Sequence, residues 1–241
     1  MAAVAEVGPA QIAVRAAIFD MDGLLVDSER YWRHVEIEVL ARHGVDVTPL
    51  MGHGLTMGMR VDEVVAFWRA QLGFGGPDDA EIVDAIVSGV AEEIRRGAEL
   101  MPGALEALEL FVSSGLAVGL ATGSTAPVLD AVLERFGLAG CFAAVCSAEQ
   151  ENLGKPHPAV YLRAAAELGI APTDCVALED SLNGVIAAKA ARMRVIAVPE
   201  SRVAHDPRYS IADVRLASLL DLDSPEVERL LGLRLGAAPG R

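Results

Sequence analysis

The sequence predicts an α/β fold, a doubly wound parallel sheet with a small α-helical cap inserted after its first strand. Three observations lead there. Short, continuously apolar runs recur at residues 14–19, 116–121, 142–146, 176–178 and 195–198, with a weaker one at 212–214. Runs this short without polar alternation suit strands covered on both faces. Between them lie helical patterns of crossover length at 104–113, 126–136, 159–168 and 182–190, as parallel strands require. The third observation is an exception: residues 27–100 separate the first run from the second and carry three helical patterns of their own, at 31–43, 61–72 and 79–96. The chain therefore divides into a core of residues 1–26 and 101–241 and a cap of residues 27–100. A cap leaving the carboxyl end of a strand stands over the edge where doubly wound sheets bind their ligands.

Taken in chain order, the first run ends in Phe19-Asp20-Met21-Asp22-Gly23, two carboxylates at spacing two where the chain leaves the sheet. Asp and Gly also form surface turns, so the pair alone carries both readings. The helix at 104–113 stops near Gly115, and the second run leads into Ala121-Thr122-Gly123-Ser124. A hydroxyl and free N–H groups ahead of a helix make an anion site or an ordinary N-cap. After the third run, Gly154-Lys155-Pro156-His157-Pro158 holds a lysine in a stiffened turn, and its prolines favour a helix start at 159. After the fourth, Leu178-Glu179-Asp180-Ser181 supplies another acid pair. All four features stand at the same end of their predicted strands. Together they offer Asp20, Asp22, Glu179 and Asp180 to a hard divalent cation, and Lys155, Thr122 and the Gly123 N–H to a phosphoryl group. Carboxylates without a cysteine or histidine partner favour Mg²⁺ over zinc.

Composition narrows the partners. The chain has 34 acidic against 20 basic residues, a net charge of −14, which argues against nucleic acid or an anionic membrane as a partner. Of the 20 basic residues only Lys155 and Lys189 are lysines. Three cysteines without C-x-x-C spacing suggest neither a disulfide framework nor a zinc knuckle. With no cationic segment ahead of an apolar stretch at the N-terminus, a cytoplasmic location is expected. The uncharged window 110–129 has glycines at 115, 119 and 123, but Ser, Thr and Pro interrupt it, so it reads as a helix end and a strand rather than a membrane span. Residues 235–241 form a low-complexity tail expected to fray. No exposed coiled-coil pattern is present, and a monomer is expected.

The motifs D-M-D-G-L-L-V-D-S-E, A-T-G-S, G-K-P-H-P and L-E-D-S-L-N-G, in this order, resemble the four motifs of the haloacid dehalogenase superfamily, whose core is Rossmann-like. Between about residues 16 and 221 the chain is most similar to bacterial sugar phosphatases of the 2-deoxyglucose-6-phosphate and hexitol phosphatase type. The resemblance implies Asp20 as the nucleophile that becomes an aspartyl phosphate. Asp22 would protonate the leaving sugar oxygen and then take a proton from water. It implies Mg²⁺ on the Asp20 carboxylate, the Asp22 backbone carbonyl and Asp180, with Glu179 close by or acting through water. Thr122 and the Gly123 N–H would hold phosphoryl oxygens, and Lys155 would offset their charge. The second motif reads T-G-S where related phosphatases often carry serine, and the hydroxyl is kept. Arg60 resembles the cap arginine that contacts the distal part of sugar phosphates, although a solvated helix-end arginine fits equally. Glu29, Trp32 and Trp68 are further cap candidates for sugar contact or for packing.

Absences then separate the reactions. Dehalogenases of the superfamily lack the second aspartate that Asp22 supplies, and its phosphonatases use a cap lysine, whereas no lysine precedes Lys155. A β-phosphoglucomutase-like sugar phosphomutase shares the whole core site. Its cap employs a lysine and a histidine; here that lysine is missing, with His34 and Arg60 as candidate substitutes. A receiver-type signalling domain also combines aspartates, a hydroxyl and a lysine, but at about half this length and without a cap. A dormant binding module would have lost a motif, and here none is lost. The expected substrate is thus a small sugar phosphate: a 2-deoxyhexose, hexose or hexitol phosphate.

Overall fold

A computed structural model of the chain describes residues 14–232; the tail at 235–241 and the first thirteen residues lie outside the described residues. Strand β1 (Ala16–Phe19) is followed by three helices, α1 (Glu29–Arg42), α2 (Val61–Leu72) and α3 (Asp79–Gly97). The chain then alternates through α4 (Ala104–Ser113), β2 (Ala117–Thr122), α5 (Ala126–Phe136), β3 (Ala144–Ser147), α6 (Ala159–Glu167) and β4 (Cys175–Glu179). It ends with α7 (Leu182–Ala190), β5 (Arg194–Ala197), β6 (Val214–Arg215) and α8 (Pro225–Leu231). All six strands are parallel, in the order β3-β2-β1-β4-β5-β6. The order reverses beside β1, which puts the end of β1 at the topological switch point.

The apolar runs are continuous because helices cover both sheet faces. Ala17, Phe19, Val176, Leu178 and Ile196 point into one buried cluster, shared with α4, α5 and α8. Their neighbours Ala16, Ile18, Cys175, Ala177 and Val195 point into the other, against α6 and α7. Successive residues of one strand thus face opposite cores. The first cluster continues into the insert through Val35, Val39, Val65, Trp68, Ile86 and Val90.

Helix α3 packs against α5 of the core. Arg135 of α5 donates to the carbonyls of Arg95 and Ala98 at the end of α3, at 2.7 and 2.8 Å, which satisfies acceptors that every helix end leaves open. The segments leaving and re-entering the sheet run side by side: Asp27 N–H donates to Glu99 O, and Met101 N–H to Leu25 O. Two differences from the sequence expectations stand out. The run at 142–146 forms its strand slightly later, at Ala144–Ser147. Helix α8 was not expected, although its signal is local: Ser224 accepts from Val227 N–H and a proline opens the helix. The window 110–129 is the end of α4, all of β2 and the start of α5. Among the described residues no helix is long and apolar enough to cross a membrane.

Candidate active site

Where β1 ends, Asp20 is buried and its N–H still belongs to the sheet, donating to Leu178 O at 3.0 Å. One carboxylate oxygen, Oδ1, accepts from Lys155 Nζ at 2.6 Å. The same ammonium donates to Glu179 Oε1 at 2.6 Å and to Ala121 O at 3.0 Å, so its three protons meet three acceptors. Lys155 is only 1% exposed. Burial alone would pull its pKa down, but Asp20 and Glu179 override that and hold it above the ordinary lysine value. Glu179 is fully committed: Oε1 also accepts from the Tyr161 hydroxyl at 2.6 Å, and Oε2 from the Ser181 N–H and hydroxyl at 3.2 and 3.1 Å. Gly184 is required beside it, because a Cβ there would lie 1.7 Å from Oε1.

Asp180 differs from Glu179 in having spare capacity. Its Oδ2 is buried with no hydrogen-bond partner. Oxygens of Asp20, Glu179 and Asp180 lie within 4.8 Å of one another, with one ammonium among three carboxylates. Burial, followed by mutual repulsion with Glu179, raises the pKa of Asp20; burial, Asp20 and Glu179 do the same for Asp180. Gly23 borders the orphaned oxygen, at a φ of +76° that favours glycine and where a Cβ would approach Asp180 Oδ2 to 2.2 Å. An orphaned buried oxygen in an all-oxygen cluster with surplus negative charge is a donor set suited to a hard divalent cation.

Asp22 is held in another way. Its Oδ1 accepts from the Ser28 hydroxyl at 2.7 Å and the Trp32 indole N–H at 2.9 Å; its Oδ2 accepts from the Ser124 hydroxyl at 2.6 Å and from Thr122 Oγ1 at 3.3 Å. Trp32 belongs to α1 of the insert, whereas Thr122 ends β2 and Ser124 follows it. Gly123 permits a close approach between these two parts, since a Cβ there would lie 3.3 Å from Gly58 O and 3.6 Å from Met59 O.

A cavity partly open to solvent joins the two parts. Asp20, Asp22, Gly123 and Ser124 line it from the sheet edge, and Glu29, Trp32, Arg33 and Glu36 from α1. These four occupy positions i, i+3, i+4 and i+7, one face of a helix. That spacing was the available signal for Arg33 and Glu36, which sequence reasoning passed over. It also passed over Ser28, Ser124 and Tyr161, each lying inside or just beyond a recognised motif, and Arg202, which reaches the cavity from the loop after β5 and pairs with Glu200.

Arg60 is not among the residues lining the cavity. Its guanidinium donates to both Asp62 oxygens at 2.6 Å and to the carbonyls of Ala148 and Glu151 at 3.2 and 2.7 Å. It therefore ties the start of α2 to the segment before Lys155, where Glu63 also accepts from Gly154 N–H at 2.9 Å. Trp68 is buried and donates to Glu36 Oε2 at 3.3 Å. His34 is exposed. His157 is exposed too, and its Nδ1 accepts from Ala159 N–H at 3.3 Å.

The haloacid dehalogenase-like hydrolase family matches residues 14–192. The chain belongs to that family. As a haloacid dehalogenase-like hydrolase it is 46% identical over 214 residues to hexitol phosphatase B of Escherichia coli strain K12, covering 89% of this chain and 96% of that one. The fold also matches a mutant CbbY from Rhodobacter sphaeroides in complex with xylulose-(1,5)bisphosphate. The TM-score is 0.79 at 28% identity, over 92% of this chain and all of that one. A β-phosphoglucomutase from Clostridium difficile shares the fold at a TM-score of 0.77 and 20% identity, over 91% of this chain and 97% of that one.

Burial raises the pKa of Glu36 from 4.5 to about 7, against the smaller opposing effect of the Trp68 N–H. Between those values the folded chain binds more protons than the unfolded one, so stability falls as pH rises from about 4.5 to about 7 and the loss is complete above that. The gap corresponds to on the order of 3 kcal/mol. Glu36→Gln removes it, and Gln still accepts from Trp68. The variant is expected to melt roughly 6–12 °C above the wild type at pH 8 and level with it at pH 4, which thermal denaturation at the two pH values checks.

Proposed function

We propose that this hydrolase is a Mg²⁺-dependent phosphatase of small sugar phosphates (2-deoxyhexose, hexose or hexitol phosphates) that works through an aspartyl phosphate on Asp20. The observation that carries the reading is the contrast between the two carboxylates on one cavity. Asp20 is fixed on an ammonium by one oxygen, and Asp22 is surrounded by hydroxyls and an indole. The similarity to a hexitol phosphatase at 46% identity supports the substrate class.

Asp20 attacks phosphorus with the oxygen that Lys155 does not hold, forming the Asp20 O–P bond as the P–O bond to the sugar breaks. Asp22 gives its proton to the departing sugar oxygen. In the second half a water oxygen bonds to phosphorus, the Asp20 O–P bond breaks, and the water's proton returns to Asp22. Three of the four partners of Asp22 are hydroxyls, which accept as readily as they donate, so they support either protonation state; only the Trp32 N–H is donor alone. Lys155 offsets charge on Asp20, and the N–H of Gly123 and the Thr122 hydroxyl would hold phosphoryl oxygens. We assign the divalent cation to Asp20, the Asp22 backbone carbonyl and Asp180, with Glu179 acting from behind through Lys155 and Ser181. When bound, Mg²⁺ supplies positive charge for the phosphoryl oxygens. The core of residues 1–26 and 101–241 carries this chemistry, and the cap of residues 27–100 closes over it.

Incubation with sorbitol 6-phosphate, glucose 6-phosphate and 2-deoxyglucose 6-phosphate in Mg²⁺ is expected to release inorganic phosphate, and EDTA to abolish the release. Asp180→Asn is expected to raise the Mg²⁺ concentration needed by roughly tenfold or more. Glucose 6-phosphate formed from β-glucose 1-phosphate without phosphate release overturns the hydrolase reading in favour of a mutase.

A further inference from the structure

The face of α1 that lines the cavity carries Glu29, Arg33 and Glu36, and their charges are unevenly compensated. Of the charged groups on the cavity away from the phosphoryl end, Arg202 is paired with Glu200. Arg33 lines the cavity too, and burial followed by the nearby Asp22 charge raises the pKa of Glu29 to about 8, against a smaller opposing effect of Arg33. Among the described residues Glu36 has no cation beside it. It is 6% exposed, with Val61, Val64 and Met51 lining the cavity around it. Its Oε2 accepts the Trp68 N–H at 3.3 Å, and its Oε1 has no hydrogen-bond partner among the described residues while Glu36 lines the cavity. A carboxylate that destabilises the fold and keeps one oxygen open is a group waiting for a donor.

Resting on the proposed phosphatase reading, we propose that Glu36 is the specificity-determining residue of the cap. Its free oxygen accepts from a hydroxyl at the end of the substrate remote from the phosphate, and above its pKa its own charge repels a second anionic group there. The substrate class is then a polyhydroxylated monophosphate with a neutral tail. Sugar bisphosphates and phosphorylated acids are rejected, because a second phosphate would bring like charge against a buried carboxylate with no cation. Aryl phosphates, whose tail has no hydroxyl to give, use the phosphoryl end alone.

The test compares kcat/KM for sorbitol 6-phosphate, xylulose 1,5-bisphosphate and phenyl phosphate in the wild type and in Glu36→Gln. The wild type is expected to prefer sorbitol 6-phosphate over the bisphosphate by at least roughly tenfold. Glu36→Gln is expected to lose roughly 10- to 100-fold on sorbitol 6-phosphate, as for a hydrogen bond to a charged group, to lose at least fivefold less on phenyl phosphate, and to narrow the gap to the bisphosphate. A wild type that prefers the bisphosphate overturns the inference without needing any variant. So does an equal loss on all three compounds in a variant whose melting temperature at pH 8 shows it folded. In both cases the phosphatase reading survives, since phosphate is still released. If the wild type hydrolyses none of the three, that reading fails and the inference falls with it.

Discussion

Asp20→Asn is expected to lower kcat on every phosphate monoester by at least ~10⁴-fold while leaving the fold intact. Asn has nearly the shape of Asp and keeps an oxygen for the Lys155 ammonium, now at 2.6 Å from Oδ1, but it offers no carboxylate oxygen to phosphorus. A nucleophile removed from a concerted set costs nearly all of the rate, because the remaining groups have no covalent step to assist. Stability should hold or rise, since one charge leaves a group of three carboxylates around one ammonium. Single-turnover phosphate release and a melting curve check both halves. Residual turnover above about 1% would show that phosphorus is attacked by another group, such as water.

Lys155→Met is expected to be the most destabilising single change in the core. It leaves Asp20 and Glu179 buried and unpaired, where removing one partner of a buried ion pair costs about 3–5 kcal/mol. In a chain of this size that is on the order of 10 °C in melting temperature. Adding Glu179→Gln to Lys155→Met should restore part of the loss, because it removes one of the two stranded charges and keeps an acceptor for Tyr161 at 2.6 Å from Oε1. Chemical denaturation of the two single variants and the double variant measures the coupling. A single Lys155→Met variant melting within 2 °C of the wild type would mean that Asp20 and Glu179 are neutralised by protons instead. Turnover should fall in both lysine variants, since Asp20 then lacks its fixed cation.

Much of the sheet edge was legible because its information is local. Asp20 and Asp22 sit two residues apart after β1, Thr122 ends β2, and Lys155 and Asp180 each follow a strand of the same sheet, so parallel topology alone gathers them. The partners of Asp22 were less legible. Ser28 and Trp32 approach it from the insert, and Ser124 from 102 residues away. Trp32 was read as a sugar contact or packing residue, and the structure shows its N–H on Asp22. Arg60 was read equally as a substrate contact and as a solvated helix-end arginine. The seating of α2 against the segment around residues 148–154 instead gives its guanidinium two backbone carbonyls.

From the chain alone came the parallel α/β core, the helical insert after β1, the order of the four motifs and the surplus of acid over lysine. All of these depend on residue type and on spacing within one element or loop, where the periods of strand and helix do the placing. Only the tertiary structure decided that Glu179 is spent on Lys155, Tyr161 and Ser181 while Asp180 keeps an open oxygen, and that Glu36 is buried on the cavity without a cation. Both outcomes turn on how far one buried oxygen lies from the next donor, and the packing of α1 and α2 on α3 and of α6 on the sheet sets those distances. A local sequence pattern does not contain them, because a shift of a few ångströms in that packing makes or breaks a hydrogen bond while leaving every period unchanged.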